Sequence, residues 1–450
     1  MTNDTIVAIA TPLGKGGFSV IRISGKDAIS IADKVFCGAT PLSKKAGYTA
    51  EFGHTKQKDG SYIDECVATV FIAPKSFTGE NVVELSCHGG ELVAKKLLEA
   101  VIFAGARPAL GGEFSKRAFL NGKMDLSEAE AIMSVINAKS ERALKIAGKN
   151  KKGAVSLKMH ELQKELEGLL AKISVFCDYP DDESMGINEE DFLNKLNYLT
   201  EEISLLIKNY ENGRLLTQGI DTAIVGKPNV GKSTLLNLLS KEEKAIVTDI
   251  PGTTRDVIES EINFDGLLLR LYDTAGIRDT LDTVEKIGVE RSYKALKKSD
   301  LALFMFESGA KVLENELLLL KENFDKAIVL INKVDINNNE NEQLKEFDPI
   351  YISAKLGTGL DLLKEKIKEK LNIFDFTDDA VVVDSLRQKN NLVTALSSLT
   401  EAKKSLTMGV PLDACGVLID EGYRNLCEIT GDKAAVDIAN RVFSDFCVGK

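Results

Sequence analysis

Glycines, a lysine and a serine stand at the spacing of a phosphate-binding loop in the segment GKPNVGKS, residues 226–233. The segment follows the apolar run DTAIV and precedes a helical pattern, which is the context that this motif needs. Glycines let backbone N–H groups surround phosphates, a lysine supplies a cation for the β and γ phosphates, and a serine hydroxyl ligates Mg²⁺. The motif therefore predicts a nucleotide site. Its predicted binding residues are Asn229, Val230, Gly231, Lys232, Ser233 and Thr234.

Three later segments indicate which nucleotide binds. In DTAG, Asp273 can hold Mg²⁺ through water, and the amide of Gly276 can face the γ-phosphate. In NKVD, the carboxylate of Asp335 can accept the two donors of guanine, whereas adenine would leave that carboxylate buried and unpaired. The segment YISAK completes the base pocket. The prediction is GTP rather than ATP, with the base held by Asn332, Lys333, Asp335, Ser353, Ala354 and Lys355.

The residue after D-x-x-G is Ile277, where a glutamine commonly orients the attacking water. Another side chain must then position the water. The downstream segment offers Asp279, Asp282 and Glu285. Asp279 and Asp282 are better explained as solvating a loop, which leaves Glu285 as the acid to consider. No arginine finger is evident within the chain, although Arg255 and Arg278 lie close enough in sequence to be candidates.

Composition is that of a soluble globular protein. The chain has 450 residues, 44% hydrophobic and 28% charged, and a chain of this length usually forms about two to three domains. The N-terminal segment lacks a basic region followed by a long apolar core, and no apolar run approaches the ~20 residues that span a bilayer. The seven cysteines form no C-x-x-C pair, which argues against disulfides or a zinc site. We expect a cytoplasmic protein with reduced thiols and no membrane partner.

The net charge of −11 means that a nucleic-acid partner would have to bind a local basic patch. Residues 139–158 contain seven basic side chains against one acid, Glu141. Such a run contacts RNA in some proteins and is a solvated face in others, and both interpretations stay open here.

The order of patterns along the chain predicts an inserted domain. Residues 1–117 mix β-rich runs at 5–11, 19–24, 66–73 and 82–87 with helical patterns around 26–36 and 91–104. Helical periodicity then runs to residue 215 and returns after 376, at 385–406 and 411–431. Between them, strands and helices alternate as in a parallel α/β sheet. A folded domain with neighbouring termini can interrupt another domain. The asparagine-rich stretch 337–343 is interpreted as a solvated loop.

Several longer segments resemble the MnmE (TrmE) family of tRNA modification GTPases. They are TIVAIATPLGKGGFSVIRISG, SFTGENVVELSCHGG, GGEFSKRAFLNGKMDLSEAEA, TDIPGTTRD, DTAGIRDTLDTVEKIGVERS and the terminal FCVGK, and together they span the whole chain. The resemblance implies a multidomain α/β protein of three parts. An α+β folate-binding and dimerisation domain covers 1–117, a discontinuous all-helical domain covers 118–215 and 376–450, and an inserted Ras-like P-loop GTPase domain covers 216–375.

The family works with the FAD protein MnmG. The resemblance implies addition of an aminomethyl or carboxymethylaminomethyl group at C5 of the wobble uridine, position 34, of certain tRNAs, with 5-formyl- or methylene-tetrahydrofolate as cofactor. The folate-binding positions implied are Arg22, Glu84, Lys123 and Lys450. Cations suit the glutamate tail of a folate, and a carboxylate suits the pterin donors. Cys447 matches a suspected catalytic thiol, with a buried structural cysteine as the alternative.

Family members are GTPases activated by K⁺ and by pairing of G domains in a homodimer. By this resemblance Ser233 and Thr254 hold Mg²⁺, and Asn229, Thr248, Ile250 and Thr253 hold K⁺. Thr248, Thr253 and Thr254 thereby also join the GTP-binding residues. Glu285 matches the residue that orients water, and Arg278 is kept as a further catalytic candidate. Two other functions compete: a GTP-dependent switch in ribosome assembly, and a folate enzyme that merely carries a GTPase. The N-terminal segments and FCVGK favour tRNA modification.

Overall fold

The computed structural model describes residues 4–178, 189–242, 260–272, 294–337, 339–373, 380–432, 439, 442–444, 446 and 449. These residues form two compact units. The first comprises residues up to 133, 151–192 and 397 onward, and the second comprises residues 134–150 and 193–396. The three-domain boundaries given above stay predictions.

A seven-stranded sheet organises the first unit, in the order β3-β4-β5-β6-β2-β1-β7. Its neighbours are antiparallel except for β1 and β7. Alternation along the strands buries residues such as Ile21, Ile23 and Leu85 against the first two helices. The strands are β1 Ile6–Ile9, β2 Phe18–Ser24, β3 Phe36–Gly38, β4 Thr49–Lys56, β5 Tyr62–Phe71, β6 Val82–His88 and β7 Arg107–Pro108.

Helices of the first unit include α1 Ala28–Val35, α2 Glu91–Ala104, α3 Glu113–Leu120, α4 Leu126–Asn137, α6 Ala154–Asp178 and α12 Leu412–Thr430. The C-terminal segment packs on them through Phe443 and Phe446, which join Leu126 in one apolar cluster. Glycine is required at residue 112, where a Cβ would lie 2.3 Å from the carbonyl oxygen of Phe443. A short 3₁₀ turn covers Leu42–Lys44.

A six-stranded sheet organises the second unit, in the order β13-β12-β11-β8-β10-β9. Its apolar strands are buried on both faces, as parallel strands usually are. The strands are β8 Ile220–Val225, β9 Ser260–Phe264, β10 Leu267–Tyr272, β11 Leu301–Glu307, β12 Ala327–Asn332 and β13 Ile350–Tyr351. The helices of this unit are α5 Glu141–Lys151, α8 Lys232–Glu242, α9 Glu314–Glu322 and α10 Leu360–Lys370, with a 3₁₀ turn at Glu342–Phe347. It also contains most of α7 Glu189–Gln218 and the first half of α11 Leu386–Thr407.

The predicted α/β alternation between 216 and 375 is confirmed, with one correction. Five strands are parallel, but β9 is antiparallel to β10. The two are joined by the hairpin turn Asp265-Gly266, with φ values of 55° and 75°, which suit that dipeptide. The predicted strands and helices of residues 1–117 are also confirmed, while β3, β4 and β7 were not predicted. No helix among the described residues is long and apolar enough to cross a membrane.

Candidate functional site

The predicted phosphate loop lies between β8 and α8. Its backbone takes left-handed angles at Asn229 (φ 62°) and at Gly231 (φ 105°), so consecutive N–H groups turn around the mouth of the loop. The ammonium group of Lys232 donates to the carbonyl oxygens of Gly226 and Lys227, at 2.5 and 2.8 Å. Ser233 and Thr234 are exposed in the first turn of α8. This geometry leaves the helix N-terminus accessible to an anion.

Asn332 joins this loop to the base-binding segments. Its side-chain amide donates to the carbonyl oxygen of Val230 at 2.8 Å and accepts from the backbone N–H of Ala354 at 2.9 Å. Asn332 is 3% exposed. Any side chain at Gly231 would collide with it, since a Cβ there would lie 2.2 Å from the amide nitrogen of Asn332. One buried amide therefore fixes three predicted binding segments relative to one another.

Asp335 is held ready to accept hydrogen bonds. The hydroxyl of Ser353 donates to one of its carboxylate oxygens at 2.7 Å, and Asp335 itself is exposed. The Ser353 hydrogen bond lowers the pKa of the Asp335 carboxyl below its usual value. The carboxylate is therefore ionised at neutral pH and acts only as an acceptor, which matches the N1–H and amino group of guanine. Lys355 is exposed beside this pair.

Lys333 has a left-handed backbone, φ 67°, and an ion pair with Glu307 at 3.0 Å. That pair ties the NKVD segment to the end of β11. Asn339 and Asn341, from a stretch expected to be a solvated loop, attach to the residues after β11. The hydroxyl of Ser308 hydrogen-bonds the backbone of Asn339, and the side chain of Asn341 donates to the carbonyl oxygen of Ala310. These asparagines hold two loops together beside the base pocket, a role that low hydrophobicity alone does not indicate.

The predicted hydrolysis and cation residues lie largely outside the described part of the chain. They are Thr248, Ile250, Thr253, Thr254, Arg255, Asp273, Gly276, Ile277, Arg278, Asp279, Asp282 and Glu285. Strand β10 ends at Tyr272, the residue immediately before Asp273. Their assigned roles stay predictions.

Arg22 and Glu84, predicted to bind folate, are neighbours across β2 and β6. Arg22 Nε donates to Glu84 Oε1 at 2.8 Å, and another guanidinium nitrogen donates to the carbonyl oxygen of Gly449 at 3.1 Å. The guanidinium carbon also lies 5.5 Å from the ring centre of Phe77 and 5.8 Å from that of Phe114, within the range of cation–π attraction. The chain terminus thus meets the predicted pair.

Of the other two predicted folate-binding residues, Lys123 and Lys450, the structure describes only Lys123. Lys123 donates to the carbonyl oxygen of Pro74 at 3.1 Å. It forms no hydrogen bond or ion pair with Arg22 or Glu84 in the part of the chain that is described. Cys447 and Lys450 lie outside the described residues, although Gly449 lies against β1. A Cβ at Gly449, where φ is 97°, would lie 2.6 Å from the carbonyl oxygen of Ile9.

An ion-pair network that the sequence did not predict supports the same end of the sheet. Arg117 on α3 is 5% exposed and donates to Asp4, Glu80 and Glu113. Arg107 binds Asp4 and Glu113 as well, and the pKa of the Asp4 carboxyl is lowered chiefly by its hydrogen bond from Arg107. Arg117 and Glu113 are the most buried members, whereas Asp4 and Arg107 stay partly exposed, and ion pairing offsets the cost of burying the first two. The network explains structurally why the segment GGEFSKRAF carries both an acid and an arginine.

Comparison with known proteins identifies the family. Residues 126–447 match the MnmE helical domain, and residues 5–123 match the GTP-binding protein TrmE N-terminus. The chain is 42% identical to the tRNA modification GTPase MnmE of Carboxydothermus hydrogenoformans and 44% identical to that of Desulforamulus reducens. Both alignments cover 100% of each chain.

Among solved structures, the G domain of the T. maritima FeoB iron transporter is 28% identical, over 33% of this chain and 96% of that one, with a TM-score of 0.25. This structural likeness is too low to support an argument. The family models and the full-length relatives show that the chain belongs to the MnmE family of tRNA modification GTPases.

Proposed function

We propose that this GTPase acts with the FAD protein MnmG to add an aminomethyl or carboxymethylaminomethyl group at C5 of uridine 34 of certain tRNAs. The observation that carries the proposal is the presence in one chain of a guanine-selective arrangement around Asp335 and of the Arg22–Glu84 pair beside the chain terminus. A ribosome-assembly switch would give no reason for the second site.

In the proposed GTP site, Asp335 accepts the two guanine donors while Ser353 holds its carboxylate in place. Ala354 and Lys355 line the base, and Asn332 keeps the base segments against the phosphate loop. The ammonium of Lys232 exchanges its two carbonyl partners for the β and γ phosphates. These contacts bind and orient GTP and contribute little to the choice of attacking water.

Cations complete the proposed site. The exposed hydroxyl of Ser233, with Thr254 and Asp273, would hold Mg²⁺, and the exposed Asn229, with Thr248, Ile250 and Thr253, would hold K⁺. Bound cations neutralise charge that develops on the phosphates during hydrolysis. Glu285 orients the attacking water, with Arg278 as a further candidate. These assignments rest on family motifs and on the exposure of the described members.

For the folate, we propose that Glu84 accepts pterin N–H donors and that Arg22 fixes the orientation of Glu84. The residues present fit such a ligand, because Glu84 is only partly buried and retains acceptor capacity beyond its bond to Arg22. Lys123 and Lys450 would bind the glutamate tail. A 5-formyl- or methylene-tetrahydrofolate supplies a one-carbon unit when bound. Cys447 stays a candidate nucleophile near this terminus.

The proposed assembly is a homodimer that binds MnmG and tRNA. The proposed function is tested by measuring the modified nucleoside in tRNA, because its formation requires GTPase, MnmG and tRNA together. Total tRNA is taken from a strain lacking this gene and complemented with the wild type, with Asp335→Asn or with Arg22→Lys. Arg22→Lys keeps the charge but loses the planar fork that binds Glu84 and Gly449 together.

Mass spectrometry of the nucleosides should show the C5-modified uridine at the full level with the wild type, in strongly reduced amounts with either variant, and not at all in the uncomplemented strain. Lys172→Arg, a charge-preserving change at an exposed position of α6 outside the basic run 139–158, serves as the control for expression. Modified uridine that persists at wild-type levels in the deletion strain would refute the proposed function.

A further inference from the structure

Lys227, the second residue of the phosphate loop, contacts the connection between β11 and α9. Its ammonium group donates to the carbonyl oxygen of Lys311 at 3.1 Å and forms an ion pair with Glu316 Oε2 at 3.0 Å. Both partners belong to residues 308–316, which join β11 to the first turn of α9 and which we call the β11–α9 corner. Position 227 is one of the unspecified positions of the motif G-x-x-x-x-G-K-S. The motif therefore assigns Lys227 no role.

The β11–α9 corner is a firm point of attachment. Glu316 Oε2 also accepts from the backbone N–H of Leu313 at 2.9 Å, so the same carboxylate closes the first turn of α9 and binds Lys227. Val312 is 4% exposed and packs in one apolar cluster with Phe304 of β11. A helix cap and a buried side chain thus fix the acceptors that hold the ammonium group.

The backbone of Lys227 is part of the phosphate loop itself. Its carbonyl oxygen accepts from the ammonium group of Lys232 at 2.8 Å. The preceding residue, Gly226, lies directly against β11, because a Cβ there would be 2.5 Å from the carbonyl oxygen of Met305. The loop therefore contacts β11 through the backbone of Gly226, and it contacts the continuation of that strand through the side chain of Lys227. A movement of Lys227 would shift the N–H groups of residues 229–231, which turn around the mouth of the loop.

We propose that Lys227 and Glu316 are positioning residues for the guanine nucleotide, because their ion pair holds the phosphate loop in its binding conformation before the nucleotide arrives. The inference rests on the proposed GTP site and gives the phosphate loop a support outside its motif. A loop that is already ordered loses little conformational freedom on binding. A loop that takes the binding conformation only part of the time binds more weakly in proportion to that population.

The charge of Glu316 allows this role to be separated from simple electrostatics. A carboxylate near the phosphates repels them, so if Glu316 acted on the nucleotide only through its charge, neutralising it would tighten GDP binding. If Glu316 positions the loop through Lys227, neutralising it weakens GDP binding. The two explanations therefore predict opposite signs for one substitution. The side chains of Lys227 and Glu316 are 44% and 20% exposed, and an ion pair with this exposure has a modest effect.

The test measures the dissociation constant of a fluorescent GDP analogue for the full-length protein, with Mg²⁺ removed by chelation. Glu316→Gln keeps an oxygen that can accept from the N–H of Leu313 and removes only the charge. We expect it to raise the dissociation constant about 2- to 5-fold, as an exposed ion pair accounts for. Lys227→Met should raise it at least as much, because the contact with Lys311 is lost as well. Lys227→Arg, which retains the charge and the donors, should stay close to the wild type.

The double variant Lys227→Met/Glu316→Gln tests whether the two side chains act as a pair. Its dissociation constant should equal that of Lys227→Met alone, because the ion pair is already broken in the single variant. Effects that add instead would overturn the inference. So would GDP binding that is unchanged or tighter in Glu316→Gln, with thermal unfolding used to show that the variant is folded.

Lys321→Met is the matched control on the same helix. Lys321 pairs with Glu346 at 3.6 Å, and both side chains are more than half exposed. GDP affinity should be unchanged in this variant, and a loss equal to that of Glu316→Gln would overturn the inference, since any change of charge on α9 would then suffice. If the wild type fails to bind GDP, or binds ADP as tightly, the proposed GTP site itself fails. That result is distinguishable because it involves no variant.

Discussion

At the scale of single residues, Asp335 and Ser353 form the pair on which base selection depends. The hydrogen bond from Ser353 lowers the pKa of the Asp335 carboxyl in the folded protein. The stabilisation that this hydrogen bond gives the folded state is therefore present above the usual aspartate pKa, and it is lost as the pH falls through the lowered pKa. At neutral pH the carboxylate is fully available to guanine. The sequence predicted both residues, but not the hydrogen bond that joins them.

Asp335→Asn should weaken GTP binding and relax discrimination against xanthosine nucleotides. An amide presents a donor where guanine also presents donors, whereas xanthine offers an acceptor. Equilibrium binding of GTP and XTP to wild type and variant measures both effects. Unchanged GTP affinity with no gain for XTP would show that the base pocket is assigned wrongly.

The buried cysteines of the first sheet should not react with alkylating reagents in the native protein. Cys66 and Cys87 are neighbours across β5 and β6, and burial raises the pKa of Cys66 to about 12 and that of Cys87 to about 11. Because the thiolate is the reactive form, iodoacetamide at pH 8 should leave both unmodified while it alkylates the exposed Cys177. Peptide mass spectrometry reports each site, and labelling in denaturant is the control. Modification of Cys66 in the native protein as fast as that of Cys177 would contradict the burial.

Glu285→Ala should separate binding from chemistry. With Ile277 in the usual glutamine position, loss of the acid that orients water should slow hydrolysis by about 10²-fold or more. GTP affinity should stay near that of the wild type, because the base and phosphate contacts lie elsewhere. Single-turnover hydrolysis at saturating K⁺, with a dissociation constant measured alongside, distinguishes this from a purely structural role. A wild-type rate per folded molecule would remove Glu285 from the mechanism.

At the scale of elements, strands with strong apolar alternation were predictable and weak ones were not. Strand β4 was missed because Thr55 is its only fully buried residue and its aromatic Phe52 is exposed. Its position comes from pairing with β5, which local sequence does not encode. The antiparallel β9 was missed although the Asp265-Gly266 dipeptide, a strong hairpin signal, stands at its end.

Helices were predicted more completely, since each carries its own periodicity. The stretch 125–148 was expected to be helical throughout, but it divides into α4 and α5. Ser140 marks the division, because its hydroxyl accepts from the backbone N–H of Ala143 as a helix N-cap does. Lys139, just before α5, pairs with Glu261 of β9, and Arg142 of α5 lies beside Gly266 in the β9–β10 turn. Lys139 and Arg142 therefore contact the β9–β10 hairpin of the same unit.

Two helical glycines should respond oppositely to substitution. Gly168 lies exposed inside α6, and a Cβ there would meet nothing within 4 Å. Gly168→Ala should therefore stabilise the protein by about 0.5–1 kcal/mol. In α7, a Cβ at Gly213 would lie 2.3 Å from Val382 Cγ1 and 3.0 Å from the carbonyl oxygen of Val383. Gly213→Ala should destabilise the protein by about 1–3 kcal/mol.

Thermal and denaturant unfolding of the two alanine variants, beside the wild type, checks both signs. Each variant is the other's control for the change in helix propensity. Equal shifts of the same sign would contradict the described packing of residues 382 and 383 against α7.

At the scale of the whole molecule, hydrogen bonds within the second unit join the helices that precede β8 to the segment that follows α10. Asn209 and Gln218 of α7 donate to backbone carbonyls of residues 381 and 384, and Asn150 of α5 donates to that of Val382. Neighbouring termini are what allow one domain to be inserted into another. The sequence suggested the insertion from the return of helical periodicity. The sequence could not show that polar side chains of α5 and α7 bind the backbone carbonyls of residues 381, 382 and 384.

The rate of GTP hydrolysis should depend on K⁺ and on dimerisation. Ile277 stands in the usual glutamine position and the sequence shows no evident arginine finger, so another group must neutralise the phosphate charge. The exposed Asn229, at φ 62° in the phosphate loop, is available for a monovalent cation, and a second G domain could exclude water from it. GTP hydrolysis should therefore be faster in K⁺ than in Na⁺ at equal ionic strength, and it should rise more than linearly with protein concentration. Asn229→Ala should lose the preference for K⁺. Rates per molecule that are the same in both salts and at all concentrations would exclude activation by cation and dimer, and would leave Arg278 as the group to test next.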